Sequence, residues 1–159
     1  MTPAASAPFL AATALLGGAG IAKLFRPDDL ARALAIAGLP SDRRLVRVGS
    51  AAEVAIALSA LVAPGAVTGA LVAASYAGFA VFVGVALIRG WPIASCGCFG
   101  RPDSKPGYQH LLLDGGAVVA ATSWAASGPP AIGPLFVQGP LVLVAVVVSG
   151  LAYLVWTSA

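Results

Sequence analysis

Apolar residues fill five stretches of this chain, and the polar positions gather in the connections between them. A helix needs about 20 mostly apolar residues to cross the hydrocarbon layer, with a tolerated range of roughly 17 to 25. The pattern predicts spans near Pro8 to Leu24, Leu45 to Ala63, Val67 to Ile88, His110 to Ser127, and Pro134 to Trp156. The first is the shortest and is interrupted by Gly17, Gly18 and Gly20. A signal peptide is its competing reading, but it lacks a basic n-region and a clear A-x-A site, so the mature chain is expected to keep it. Between the first two spans, Leu30, Ala33, Leu34 and Ala37 recur at helical spacing behind Asp28 and Asp29, which suit a helix start. That pattern predicts an amphipathic surface helix over Pro27 to Gly38. The expected fold is all-α: a polytopic membrane helix bundle forming one integral membrane domain over residues 1–159. A four-helix core occupies about 8–127, and an extra C-terminal transmembrane helix occupies about 134–156.

Composition supports the membrane reading. The chain of 159 residues is 59% hydrophobic and 9% charged, whereas charged residues make up roughly a quarter of a soluble globular domain. Only Glu53 and Asp114 lie well inside spans; every other charged residue falls between Lys23 and Arg47 or between Arg89 and Lys105. If the helices alternate across the bilayer, those two regions share one face. The opposite connections, Pro64-Gly65-Ala66 and Gly128-Pro129-Pro130, carry no charge. Counting basic residues alone makes the charged face cytoplasmic. The net charge of +3 does not point to nucleic acid, because the basic residues edge a membrane and lack interleaved aromatics; contact with anionic lipid head groups accounts for it.

A titratable side chain inside a span is costly and marks a candidate functional site. Glu53 lies six residues beyond Arg47, about 9 Å along its helix from the charged edge. Asp114 stands four residues after His110, so the two share a helical face. Lys23 closes the first span at the same edge. Lys23, Glu53, His110 and Asp114 are thus expected within about two turns of the charged face. Plainer roles exist for each. Lys23 can snorkel to the interface, and Glu53 can pair with Lys23 or Arg47 merely to hold helices together. Asp114 can make an interhelical hydrogen bond, and His110 can be a solvated loop-end residue. Ala51, Ala55, Ser59 and Ala63 form a small-residue stripe of the kind that lets a neighbouring helix approach closely. Trp91, Tyr108, Tyr153 and Trp156 read as interfacial anchors at the charged edge, with Trp124 toward the other side.

The two cysteines, Cys96 and Cys98, flank Gly97 in the connection on the charged face. A disulfide wants its Cα atoms about 5.5 Å apart, which residues two apart reach only in a bent backbone, and Gly97 permits the bend. Such a ring is strained, and strained or exposed disulfides belong to the labile, catalytic kind. Pro92 and Gly100 bracket the segment as a turn outside the lipid, accessible to a partner thiol. Redox exchange, soft-metal binding such as Cu(I), and inert packing or a partner-linked disulfide are the three readings. Metal binding is weakened by the lack of further cysteines, a second histidine or a nearby methionine. No C-x2-C zinc pair, P-loop or nucleophile elbow occurs.

Five features together resemble the MauE/DoxX group of membrane proteins, and its MauE-type branch, named from methylamine utilisation, in particular. They are Gly20-Ile21-Ala22-Lys23-Leu24 closing the first span, Leu39-Pro40, the intramembrane Glu53, Arg89-Gly90, and Cys96-Gly97-Cys98-Phe99-Gly100. The resemblance covers roughly residues 10–125; the Cys-Gly-Cys-Phe-Gly string is its most specific part, and Asp114 is a departure whose role is not carried over. It implies an integral membrane protein supporting thiol-disulfide chemistry during maturation of an exported, disulfide-rich enzyme, alongside a thioredoxin-like partner. It also implies that the dithiol faces the extracytoplasmic side, against the charge count. Cys96 and Cys98 are then the expected redox pair, with a membrane quinone or another thiol as exchange partner. Glu53, His110 and Asp114 are the expected proton-handling residues, and Lys23, Gly97 and Arg89 the supporting ones. Two other functions remain open: a non-enzymatic membrane assembly factor, and a Cu(I)-handling protein.

Overall fold

A computed structural model describes residues 6–93 and 107–127. Their regular structure is entirely helical: α1 (Ser6–Phe25), α2 (Pro27–Ile36), α3 (Arg43–Val62), α4 (Ala66–Arg89) and α5 (Tyr108–Ala126). The four long helices match the first four predicted spans to within a few residues. The predicted span from Pro134 to Trp156 lies outside the described residues. By length and composition, Ala7–Phe25, Arg43–Val62 and Ala66–Arg89 each suffice to cross a membrane. Helix α5, at 19 residues, is long enough, but Gln109, His110 and Asp114 dilute its apolar character. It is held in place by packing rather than by hydropathy alone.

The long helices run alternately up and down as a four-helix ring. Helix α1 packs on α3 and α5, while α4 packs on α5 and α3. Each of these neighbouring pairs is antiparallel, as short connections between successive spans require. Helices α1 and α4 meet across the diagonal, and α3 and α5 make no contact among the described residues.

Two apolar clusters fill the ring. One, at the end with uncharged connections, joins Phe9, Leu16, Ala60, Val72, Tyr76 and Trp124. The rings of Phe9 and Trp124 stack there with centroids 4.9 Å apart and planes 4° apart. Trp124 is therefore a core residue and not the interfacial anchor its position suggests. The second cluster, at the charged end, joins Ala33, Val83, Ala86 and Ile93, with Phe82, Trp91 and Leu111 packed against it. Helix α2 contributes Ala33 to that cluster, and Ala31 is buried with it. Leu30, Leu34 and Ala37 on the same face are half-buried, so α2 is an amphipathic helix seated on the charged end of the bundle.

Helix α1 is continuous through its three glycines, and one of them explains how closely it lies to α3. A Cβ on Gly20 would stand 2.9 Å from a Val54 methyl carbon and 3.0 Å from the Ser50 carbonyl oxygen. The backbones approach there because no side chain intervenes. The close-packed faces are therefore Gly17 and Gly20 against Ser50, Val54 and Ala57. The stripe Ala51, Ala55, Ser59 and Ala63 is instead exposed and admits no helix of the described chain. Gly20→Ala is expected to force α1 from α3 at a cost of about 1–3 kcal/mol, read as a lowered unfolding temperature in detergent. Gly18→Ala, where the new methyl meets nothing within 4 Å, should leave that temperature unchanged or slightly raised. Equal behaviour of the two variants would contradict this account of the α1–α3 contact.

Candidate functional site

The bundle interior also holds polar side chains, and their geometry follows from helix direction. Side chains on a helix lean toward that helix's own N-terminus. Lys23, near the C-terminal end of α1, therefore leans away from the charged end and back into the bundle. Glu53 sits on the antiparallel α3, so it leans the opposite way. The two meet: Lys23 Nζ lies 2.5 Å from Glu53 Oε2, with the side chains only 2% and 14% exposed. Lys23 does not snorkel, and Arg47, the other candidate partner for Glu53, is exposed.

Helix α4 supplies the rest of the lysine's surroundings. The ammonium lies 4.5 Å from the centroid of the Phe79 ring, an arrangement in which the ring's negative face stabilises a cation, more so when desolvated. Phe79 is met edge-on by Tyr76, the centroids 5.9 Å apart. The Tyr76 hydroxyl donates to the Ala12 carbonyl at 2.7 Å, which ties α4 to α1 across the diagonal. Tyr76 also lies within electrostatic reach of both Asp114 and Glu53.

On α5, His110 and Asp114 are 3% and 0% exposed and share one inward face, as their spacing predicts. His110 is therefore an interior residue, which overturns the plainer reading of a solvated loop end. Thr13 and Ser50 complete the buried polar set. Each donates its hydroxyl to the carbonyl four residues back, Phe9 and Val46 respectively, at 2.8 Å, so neither needs water.

Arg89 is exposed and stands at the end of α4, where its charge complements the helix C-terminus. Gly90 follows at φ +59°, in the left-handed region. Its N–H donates to the Leu87 carbonyl at 3.3 Å and that of Trp91 to the Ala86 carbonyl at 3.1 Å. This closes α4 in a Schellman turn. Arg89-Gly90 is thus a helix stop from which the α4–α5 connection departs. Cys96, Gly97 and Cys98 belong to that connection and lie outside the described residues.

The fold places the sequence-predicted Lys23, Glu53, His110 and Asp114 in the bundle interior, where Glu53 and Asp114 both come within electrostatic reach of Tyr76. Tyr76 and Phe79 join them without having been singled out. The signal for Tyr76 was a phenol hydroxyl midway along an apolar span, where it must find a partner. Phe79 carries no signal in the sequence, because one more aromatic in an apolar run is indistinguishable from core.

An all-helical bundle with spans of this length defines a polytopic integral membrane protein. A family model described as "Methylamine utilisation protein MauE" matches residues 1–128. The chain belongs to the MauE family. The match takes in all five described helices. Comparison with curated proteins returned no match, and neither did comparison with solved structures.

Proposed function

We propose that this protein is a membrane thiol-disulfide redox protein that supports disulfide formation or maturation of exported redox enzymes. It would act in a methylamine-utilisation type of role and with a thioredoxin-fold partner. Cys96 and Cys98 are the reactive pair, on the extracytoplasmic side, where disulfide chemistry is useful. The observation that carries this reading is the desolvated Lys23–Glu53 pair in a bundle that also buries His110 and Asp114. A buried ion pair is no gain in stability over apolar packing, so its presence in a membrane bundle favours a functional role. His110 stands in the first turn of α5, directly after the connection that holds the cysteines.

In the proposed cycle the Cys96–Cys98 disulfide exchanges with a partner dithiol. Its S–S bond breaks, the partner's forms, and two electrons and two protons pass to the protein. Re-oxidation returns those electrons and protons to a membrane quinone, which becomes the quinol, or to another disulfide. Glu53, with His110 or Asp114, would carry the accompanying protons or favour the thiolate, which is the nucleophile. Lys23 holds Glu53 in place.

Labelling intact cells with a membrane-impermeant maleimide, with and without prior reduction, tests the proposal. The expected result is labelling of intact cells only after reduction, which means an oxidised, reducible pair outside. Labelling only after permeabilisation, with no need for reductant, would put free thiols inside and sink this reading. A Cu(I)-handling protein or a non-enzymatic assembly factor would then be favoured.

A further inference from the structure

The outer face of α3 joins a strip of small residues to two arginines at its charged end. Arg44, Val48, Ala51, Ala55, Ser59 and Val62 are all exposed and follow one another at intervals of three or four residues, so they line a single meridian of the helix. Arg47, also exposed, sits one turn from Arg44 at its basic end. Helix α4 carries a comparable exposed strip, Ala70, Ala74 and Gly78, but a single arginine, Arg89, stands at its charged end. Below the two arginines, Ala51, Ala55 and Ser59 form a shallow strip between the exposed Val48 and Val62.

The acidic residues nearby are already engaged. Asp29 is paired with Arg32 and Asp28 with Arg43, the latter at 2.5 Å. The Asp42 carboxylate accepts the Arg44 backbone N–H at 2.6 Å and caps α3. Among the described residues no carboxylate pairs with the guanidinium of Arg44 or of Arg47.

We infer that this face is a binding site for one anionic glycerophospholipid. The phosphate sits between Arg44 and Arg47, and an acyl chain lies along Ala51 and Ala55. The dimensions fit: from Arg44 to Ala55 is 11 residues, about 16 Å of helix, close to half of the roughly 30 Å hydrocarbon core. Guanidinium groups bind phosphate oxygens through paired hydrogen bonds, and the interfacial position strengthens them. Small side chains let the acyl chain lie against the helix backbone. A second copy of the chain is disfavoured as occupant. In one bilayer, two copies related by a two-fold axis along the membrane normal stand the same way up. Docking through this face would then bring the Arg44 and Arg47 of each against those of the other, a like-charge contact with no carboxylate to offset it.

Native mass spectrometry of the full-length protein in detergent tests this, with phosphatidylglycerol titrated against phosphatidylcholine of the same acyl chains. The expected result is preferential retention of phosphatidylglycerol. In Arg44→Gln/Arg47→Gln its affinity should fall about thirtyfold, from roughly 1 kcal/mol per basic residue near a membrane surface. Arg26→Gln/Arg89→Gln, which removes equal charge elsewhere, should change it far less. Ala51→Leu/Ala55→Leu, with both arginines intact and the changes on exposed positions, should also weaken retention; circular dichroism checks that every variant keeps its helices. Equal losses for the two arginine pairs would overturn the site in favour of a diffuse basic belt. So would retention unaffected by the leucine substitutions, or a two-chain species that those substitutions dissociate.

Discussion

Cys96→Ser and Cys98→Ser are each expected to abolish thiol-disulfide exchange with a thioredoxin-fold partner while leaving membrane insertion intact. The chemistry is all-or-none because the serine hydroxyl neither forms the disulfide nor acts as a thiolate-like nucleophile at neutral pH. Insertion is spared because both residues belong to the connection between α4 and α5, and the spans that drive insertion are elsewhere. The two variants should also differ in a useful way. Offered the partner in its disulfide form, the variant that lacks the resolving cysteine opens that disulfide with its remaining thiolate and releases the partner's other thiol, so a mixed disulfide accumulates in that variant alone and names the attacking thiol. Non-reducing electrophoresis after acid quenching reads this directly. Exchange at the wild-type rate in both variants would eliminate the proposed function.

Glu53→Ala is expected to be among the most destabilising single changes in the bundle, at about 3–5 kcal/mol, because it leaves the Lys23 ammonium buried without its counter-charge. That is a large part of the 5–15 kcal/mol typical of a folded domain. The double variant Lys23→Met/Glu53→Leu removes both charges and keeps most of the volume, so its unfolding temperature in detergent should return close to wild type. The pair of measurements separates fold from function. If the double variant is stable but has lost thiol exchange, Lys23 and Glu53 serve the reaction. If it is stable and exchanges normally, the pair is structural and the proton-handling role fails. If Glu53→Ala unfolds no more easily than wild type, Lys23 has an outlet from the bundle that contradicts the buried ion pair.

Much of the fold was legible in the hydropathy pattern. The boundaries of α1, α3, α4 and α5 follow from apolar runs bounded by charge, proline or glycine. The start of α2 follows from Pro27, Asp28 and Asp29. The inward face shared by His110 and Asp114 follows from helical periodicity alone. Two expectations failed for a common reason: a pattern along one helix states what that helix is able to bury but not which neighbour it meets. The small-residue stripe of α3 suits close packing, yet Gly17 and Gly20 on α1 created a closer approach on the opposite side of α3, and the stripe was left outside. Trp124 suits an interface, but the Phe9 ring made a better partner in the core.

By itself, the sequence determined that this is a membrane bundle, where its helices begin and end, that its charges gather at one end, and that His110 and Asp114 share a helical face. Length against bilayer thickness, periodicity and the cost of burying charge decide those matters, and all three are readable along the chain. Only the tertiary structure decided that Lys23 turns inward to Glu53 instead of outward to the interface, that Phe79 and Tyr76 complete its surroundings, and that the arginine-headed face of α3 is left open. Those outcomes depend on which helices stand side by side and in which direction. Residues as far apart as Ala12 and Tyr76, or Lys23 and Phe79, become neighbours only when the chain has closed its antiparallel ring.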